Sequence, residues 1–322
     1  AYTAGDFSMR LTALNAVDNT TSVAVTPSYP TAATLTVASA IGTLSTSDAN
    51  PKASLLLAGD RDQKVLSFRV KASNDAVKLR ELQFTGTGLN NLSNFRVVNS
   101  SNEVVATSTT NDNVSLTFTN IDTVDSVAMD VTKTYFLVAD VNTNVSGLIF
   151  NVSLNGATSK VKSTNGTITN MNSLVVASNS HRIEENKAVV AKATNASKDL
   201  STSALRFTVT ASGKDSVTLD SATFTNVLSG YTGATTLTVY KDTVSASNVV
   251  GTAAATTGVV TFTANKTVDA GSTNTYIVVI NGTIDAAANT PSWTVRLSDL
   301  SVGGVSANMY TNMGEFPITE TK

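Results

Sequence analysis

The sequence predicts an all-β protein: tandem antiparallel β-sandwich domains with a partial copy at the N-terminal side. Three observations predict it. Apolar and polar residues alternate with period two in run after run, no window carries a helical stripe, and the same runs return at a domain-sized interval. The clearest case is LSFRVKASNDAVKLRELQFT, Leu66 to Thr85, which comes back as LRFTVTASGKDSVTLDSATFT, Leu205 to Thr225.

In the first of these runs Leu66, Phe68 and Val70 alternate with Ser67, Arg69 and Lys71, so one side of the strand meets a core and the other meets water. A turn-forming Ser73-Asn74-Asp75 cluster follows, and Val77, Leu79, Leu82 and Phe84 resume the pattern. The second run repeats it with Leu205, Phe207, Val209, Val217, Leu219 and Phe224. β-Branched and aromatic side chains of this kind suit a pleated, half-buried surface. Further on, FRVV (Phe95 to Val98) matches LTVY (Leu237 to Tyr240), and SLTFT (Ser115 to Thr119) matches VVTFT (Val259 to Thr263). KTYFLVADVN from Lys133 answers NTYIVVING from Asn274; both are apolar on both faces, as a central strand covered on each side requires. Late in each copy stand FNVSL at Phe150 and WTVRL at Trp293. The expected cores therefore also contain Tyr135, Leu137, Phe150, Val152 and Leu154, with Tyr276, Val278, Trp293, Val295 and Leu297 as their counterparts.

Leu66 and Leu205 stand 139 positions apart, Phe150 and Trp293 143. That is the length of a domain, far above the unit of a solenoid or propeller. The late strand also occurs once earlier, as FSMRL at Phe7, and LVVAS at Leu174 has an earlier echo, LTVAS, at Leu35. Residues 1–46 thus read as the C-terminal part of a preceding repeat, followed by complete sandwiches at 47–183 and 184–322. The joint SHRIEENK (Ser180 to Lys187) is similar to EFPITETK (Glu315 to Lys322), so another copy could begin where the sequence stops. With no Met and no charged-then-apolar leader at Ala1, the sequence is expected to be a processed chain or a piece of a longer one. A remnant of two or three strands cannot bury its own apolar face, because a sandwich does so with two packed layers. Phe7, Met9, Leu11, Leu35 and Val37 are accordingly the expected assembly contacts. They would be covered by upstream chain or, as in strand complementation, by another subunit.

Composition narrows the function. Only 14% of the 322 residues are charged and the formal net charge is -2, against about 25% charged residues in an average soluble protein. Ser, Thr and Asn fill the deficit, giving a neutral, hydroxyl-rich surface that repels its own copies weakly and so suits an assembly. Cysteine is absent, which removes disulfides and thiolate metal sites. No apolar run approaches the roughly 18 residues of a membrane-spanning helix. His181 is the single histidine, placed in the joint between copies as an exposed residue; with no cysteine a Cys-His pair is excluded, and a Ser-His-Asp or His-based metal site would hang on this one joint residue. No catalytic or cofactor-binding residue is nominated. Phosphate-cradling glycine loops and basic patches interleaved with aromatics are also lacking, so nucleic acid is not an expected partner. Asp60 with Asp62, and Asp122 with Asp125, could lend oxygens to a calcium ion, but neither pair has the dense spacing of a calcium loop, and turn formation or edge protection competes for the same residues. The Asn-x-Ser/Thr sequons are as frequent as chance gives in so Asn-, Ser- and Thr-rich a chain, and carry no weight.

The pattern L-x-F-x-V-x-A-S, a short turn, V-x-L and then an F-T strand resembles the tandem Ig-like β-sandwich modules of prokaryotic cell-surface proteins, among them surface-layer proteins and extracellular filament subunits. It covers residues 50–322 in two passes and is a packing pattern, without functional residues to carry over. The resemblance implies a non-catalytic, load-carrying or coating role outside the cell. The expected function is that of a structural subunit of a secreted or cell-surface assembly, a surface layer, sheath or filament, with itself as partner and a cell-surface glycan as a further one. The competing readings are an adhesin or carbohydrate-binding spacer of a secreted protein, and an Ig-like decoration protein of a virion or tail.

Overall fold

The computed structural model describes residues 38–322 apart from 109, 122–124, 198, 234–235, 257 and 289, with the backbone alone at Thr110–Asn111 and in four short strands before residue 38. In that leading part Gly5–Met9 pairs antiparallel with Ala33–Val37, setting Phe7 opposite Leu35, and Ala16–Val17 pairs with Ala24–Val25. The protein is all-β. Its one α-helix among the described residues is the single turn Leu200–Ser203, capped by the Asp199 side chain, which accepts from the Ser201 N–H. No helix among the described residues is long and apolar enough to cross a membrane.

Two sandwiches follow. One sheet of the first runs, in spatial order, Val104–Thr107, Leu92–Asn99, Thr132–Val141, Gln63–Ser73 and Ile41–Thr46. The facing sheet is built on Val77–Thr87 and Leu148–Asn155. The second sandwich repeats the plan: Val249–Ala254, Thr236–Lys241, Thr273–Ile280, Leu205–Gly213 and Asn186–Lys192 lie in the same order, opposite a sheet built on Val217–Ser229 and Ser292–Val302. The repetition reaches single cross-strand pairs. Phe68 lies opposite Tyr135 with ring centroids 5.6 Å apart, and Phe207 lies opposite Tyr276 at 5.4 Å. Every side chain expected in the two cores is buried, none more than 4% exposed.

One boundary moves. Ile41–Thr46, assigned from sequence to the preceding repeat that ends at residue 46, is the edge strand of the first sandwich, in register from Ile41 opposite Ser73 to Thr46 opposite Phe68. It buries Leu44 in the first core. The Asn172 amide brackets that residue: Leu44 N–H donates to Asn172 Oδ1 at 2.9 Å, and Asn172 Nδ2 donates to the Leu44 carbonyl at 3.0 Å. The first sandwich therefore begins at about residue 41. At its other end His181–Glu184 is still a strand of the first sandwich, and Asn186 opens the first strand of the second.

The repeats differ at one buried hydroxyl, which supplies a matched test. Tyr135 donates to Asp125 Oδ2 at 3.0 Å, and Asp125 also pairs with Lys133. Burial, and after it the Asp125 charge, push the Tyr135 pKa up. Aligned on the tyrosines, Lys266 and Asn274 replace Asp125 and Lys133, and the Tyr276 hydroxyl is buried without a well-formed hydrogen bond. Burial pushes its pKa up to about 12. Tyr135→Phe is expected to cost about 1.5–3 kcal/mol, the range for a hydrogen bond to a charged group, whereas Tyr276→Phe is expected to be neutral or stabilising. Urea unfolding of the two variants checks this; equal losses at both sites would contradict it.

Candidate functional site at the joint between the sandwiches

Between the edge strand Ile41–Thr46 and the long strand Gln63–Ser73 the chain forms one more short strand, Leu55–Leu57. It lies parallel to His181–Glu184, with Leu55 opposite Arg182, Leu56 opposite Ile183 and Leu57 opposite Glu184. Alternate side chains of a strand point to opposite sides, and here the two sides are two domains. Leu56 lies in the first core with Ile183. Leu55, 1% exposed, lies in the second core with Val217, Val305 and Met313. Leu57 packs, half-buried, against the second core as well.

Hydrogen bonds lock this strand from both domains. Leu55 N–H donates to Asn312 Oδ1 at 2.9 Å and Asn312 Nδ2 donates back to the Leu55 carbonyl at 2.6 Å, so one amide of the second sandwich takes the place of a neighbouring strand. Thr311 N–H donates to the Ala53 carbonyl at 3.1 Å. From the first sandwich, Arg182 N–H donates to the Ser54 carbonyl at 3.1 Å and Ala58 N–H to the Glu184 carbonyl at 2.9 Å. The Glu184 carboxylate accepts from Ser146 Oγ, the Gly147 N–H and Arg182 Nε, at 2.6, 3.1 and 2.6 Å. At Gly213 the second sandwich comes so close to the crossing chain that a Cβ would stand 2.3 Å from the Glu185 carbonyl oxygen, at a φ of +121° that favours glycine.

His181 belongs to this joint but is buried, 1% exposed, not the exposed residue that its place between repeats suggested. The reason is that its ring closes the end of the first core. It stacks on Phe150 at 5.2 Å between centroids. Nε2 donates to the Val65 carbonyl at 3.3 Å; a carbonyl can only accept, so the proton sits on Nε2 and Nδ1 accepts from the Ser54 hydroxyl at 2.8 Å. Burial holds the His181 pKa below its ordinary value, outweighing the Val65 bond. The unfolded chain therefore binds a proton below about pH 6.5 that the folded chain still refuses. This contribution to stability is complete above that pH and is lost as pH falls from it toward the folded pKa. Moving from about pH 7.5 to about pH 5.5 is expected to lower the unfolding midpoint of the first sandwich, and His181→Gln to flatten the dependence. A midpoint indifferent to pH in the unmodified chain would overturn this.

The acidic pairs do different work. Asp62 and Asp140 share the Arg96 guanidinium, whose Nη2 lies 2.7 Å from Asp62 Oδ1 and 3.0 Å from Asp140 Oδ1. Asp60 Oδ2 accepts from Leu57 N–H at 2.9 Å, holding the turn that follows the shared strand. Asp125 serves Lys133 and Tyr135, and Asp122 lies outside the described residues. Of the expected assembly contacts, Phe7, Met9, Leu35 and Val37 fall on the paired strands Gly5–Met9 and Ala33–Val37, while Leu11 lies outside the described residues, as do the side chains of all five. Sequence reading missed Leu55–Leu57, Asn172 and Asn312. The one signal was the LLL triplet standing in an otherwise polar connecting segment.

The fold and joint define a chain of β-sandwiches coupled through a strand that both share. No family model and no curated protein matches the chain. Among solved structures it is similar to the C-terminal domain of the AgI/II polypeptide BspA of Streptococcus agalactiae, at 13% identity and a TM-score of 0.23, over 83% of this chain and 97% of that one. It is similar to BcpA, the major pilin subunit of Bacillus cereus, at 10% identity and 0.22, over 87% and 65%. The sixth cohesin of scaffoldin B from Acetivibrio cellulolyticus matches at 12% and 0.24, over 44% of this chain and 99% of its own. At such identities and scores the function rests on the chain's own residues.

Proposed function

We propose that this chain is a non-catalytic structural subunit of an extracellular assembly, a surface layer, sheath or filament, whose partner is further copies of itself. The observation that carries the reading is the shared strand: Leu55 in one core and Leu56 in the other leave no free linker at which the sandwiches could swing, so the pair behaves as a stiff rod. A rod with a Ser/Thr/Asn-rich surface of low net charge transmits force and tolerates close neighbours. Electron microscopy of the native material tests it, a lattice or fibre being expected and dispersed particles at every concentration counting against it. Assembly is proposed to run through Phe7, Met9, Leu11, Leu35 and Val37. Removing residues 1–37, and not 1–46, is the matching experiment, because the longer deletion would strip the Ile41–Thr46 edge from the first sandwich. The truncated chain is expected to keep both folded sandwiches and to stop assembling; native polymers from it would remove those residues from the proposal.

A further inference from the structure

Beside the joint, mostly on the second sandwich, runs an open groove of about 800 Å³. Its floor is the outer side of a sheet. Thr225 and Arg296 stand opposite each other in the ladder between Val217–Ser229 and Ser292–Val302, and Ser298 follows two positions along on the same face. Asn308, Thr311, Glu315, Phe316 and Pro317 complete the lining from the second sandwich, and Lys52 joins them from the segment before the shared strand. Lys52 is held there because its neighbour Ala53 accepts the Thr311 N–H.

Much of this lining is fixed in advance. Arg296 rises between Val295 and Leu297, both fully buried. Asn308 Nδ2 donates to the Ser298 carbonyl at 3.2 Å, its N–H donates to Asp299 Oδ1 at 3.0 Å, and the Thr225 and Ser298 hydroxyls lie 3.3 Å apart. Phe316 packs against the second core with part of its ring and leaves the rest at the groove. Arg296 and Lys52 form no ion pair with any described residue, unlike Arg69, Arg96, Lys133, Lys160, Arg182 and Lys192.

From this lining we propose that the groove binds an acidic saccharide, a glycan whose rings carry carboxylate or phosphate groups. A guanidinium matches either anion with two parallel hydrogen bonds. Hydroxyl and amide side chains in a row answer sugar hydroxyls, and a half-exposed ring offers an apolar patch to the C–H side of a sugar. The volume falls in the usual range for ligand sites, roughly 300–1,000 Å³. An extended peptide is disfavoured because it would add to an open sheet edge, and here the floor is a sheet face whose backbone groups are already used in the ladder. The first sandwich supplies an internal control, since Ser153 holds the position of Arg296 there. The proposal stands whether or not the chain polymerises.

Calorimetric titration of the full chain with an oligogalacturonate, a phosphorylated glucan oligomer, a neutral glucan oligomer of equal length and inorganic phosphate tests it. One or both acidic oligomers are expected to saturate the chain and to bind about tenfold or more tighter than the neutral oligomer or inorganic phosphate, and which one does so separates carboxylate from phosphate recognition. Arg296→Ala, with an unchanged unfolding midpoint, is expected to weaken binding about tenfold or more, and Ser153→Ala to leave it unchanged. No saturation by either acidic oligomer, equal binding of inorganic phosphate or the neutral glucan, or indifference to Arg296→Ala would each overturn the proposal.

Discussion

Truncating Phe68 or Phe207 to Ala is expected to destabilise the sandwich that holds it by about 3–5 kcal/mol. Both rings are fully buried at the centre of a layer in which little can move to fill the space. Phe68 stacks on Tyr135 and meets Phe84 edge-on, with centroids 6.2 Å apart and planes at 67°. Phe207 stacks on Tyr276, which also lies parallel to Phe262 at 6.5 Å. Removing either ring therefore costs its own transfer energy, its aromatic contacts and a cavity against its neighbours. Urea unfolding followed by circular dichroism measures the loss. A cost below about 1 kcal/mol at both positions would mean that the cores collapse around the gap more freely than native packing permits.

The sandwich interiors were legible because alternation is local: Leu66, Phe68 and Val70 declare their side of the strand within five residues, and Leu205, Phe207 and Val209 declare it again. What the sequence hid depends on contacts between distant residues. Ile41–Thr46 carries one large buried residue, Leu44, while Ile41 is 48% exposed, too thin an alternation to separate an edge strand from a linker. His181 looked exposed because its burial depends on Ser54, 127 positions away, and on Val65, 116 positions away. Asn172 and Asn312 act as single amides in a chain full of asparagine, and only the backbone that each one faces marks it out. The groove around Arg296 was hidden for the same reason: WTVRL announces a core strand, and its arginine acquires neighbours only when Lys52 and Phe316 arrive from elsewhere. In Leu55–Leu57 periodicity failed for a different reason. A strand buried on both sides in two separate cores shows no polar face, and three leucines in a row do not say that their partners belong to different domains.

Leu55→Ala is therefore expected to destabilise the sandwich to which its strand does not belong. Its side chain fills the second core while its backbone pairs with the first domain, so the loss of about 2–5 kcal/mol for truncating a buried leucine should fall on the second sandwich. Leu56→Ala, one residue on, should place a comparable loss on the first. Trp293 makes the distinction measurable: it is the only tryptophan and is buried in the second core, so its fluorescence reports that domain while circular dichroism reports both. Leu55→Ala is expected to lower the midpoint of the Trp293 transition, and Leu56→Ala to lower the transition that the tryptophan does not see. Asn312→Ala removes both bonds to the Leu55 backbone while leaving the leucine in place, and should shift the Trp293 transition less, by about 1–3 kcal/mol. If Leu55→Ala leaves the Trp293 transition unmoved, the strand is not shared, and the stiffness from which a rod-like subunit was argued falls with it. If both leucine variants move both transitions together, the shared strand couples the two sandwiches into one cooperative unit, which is the stronger form of the same mechanical idea.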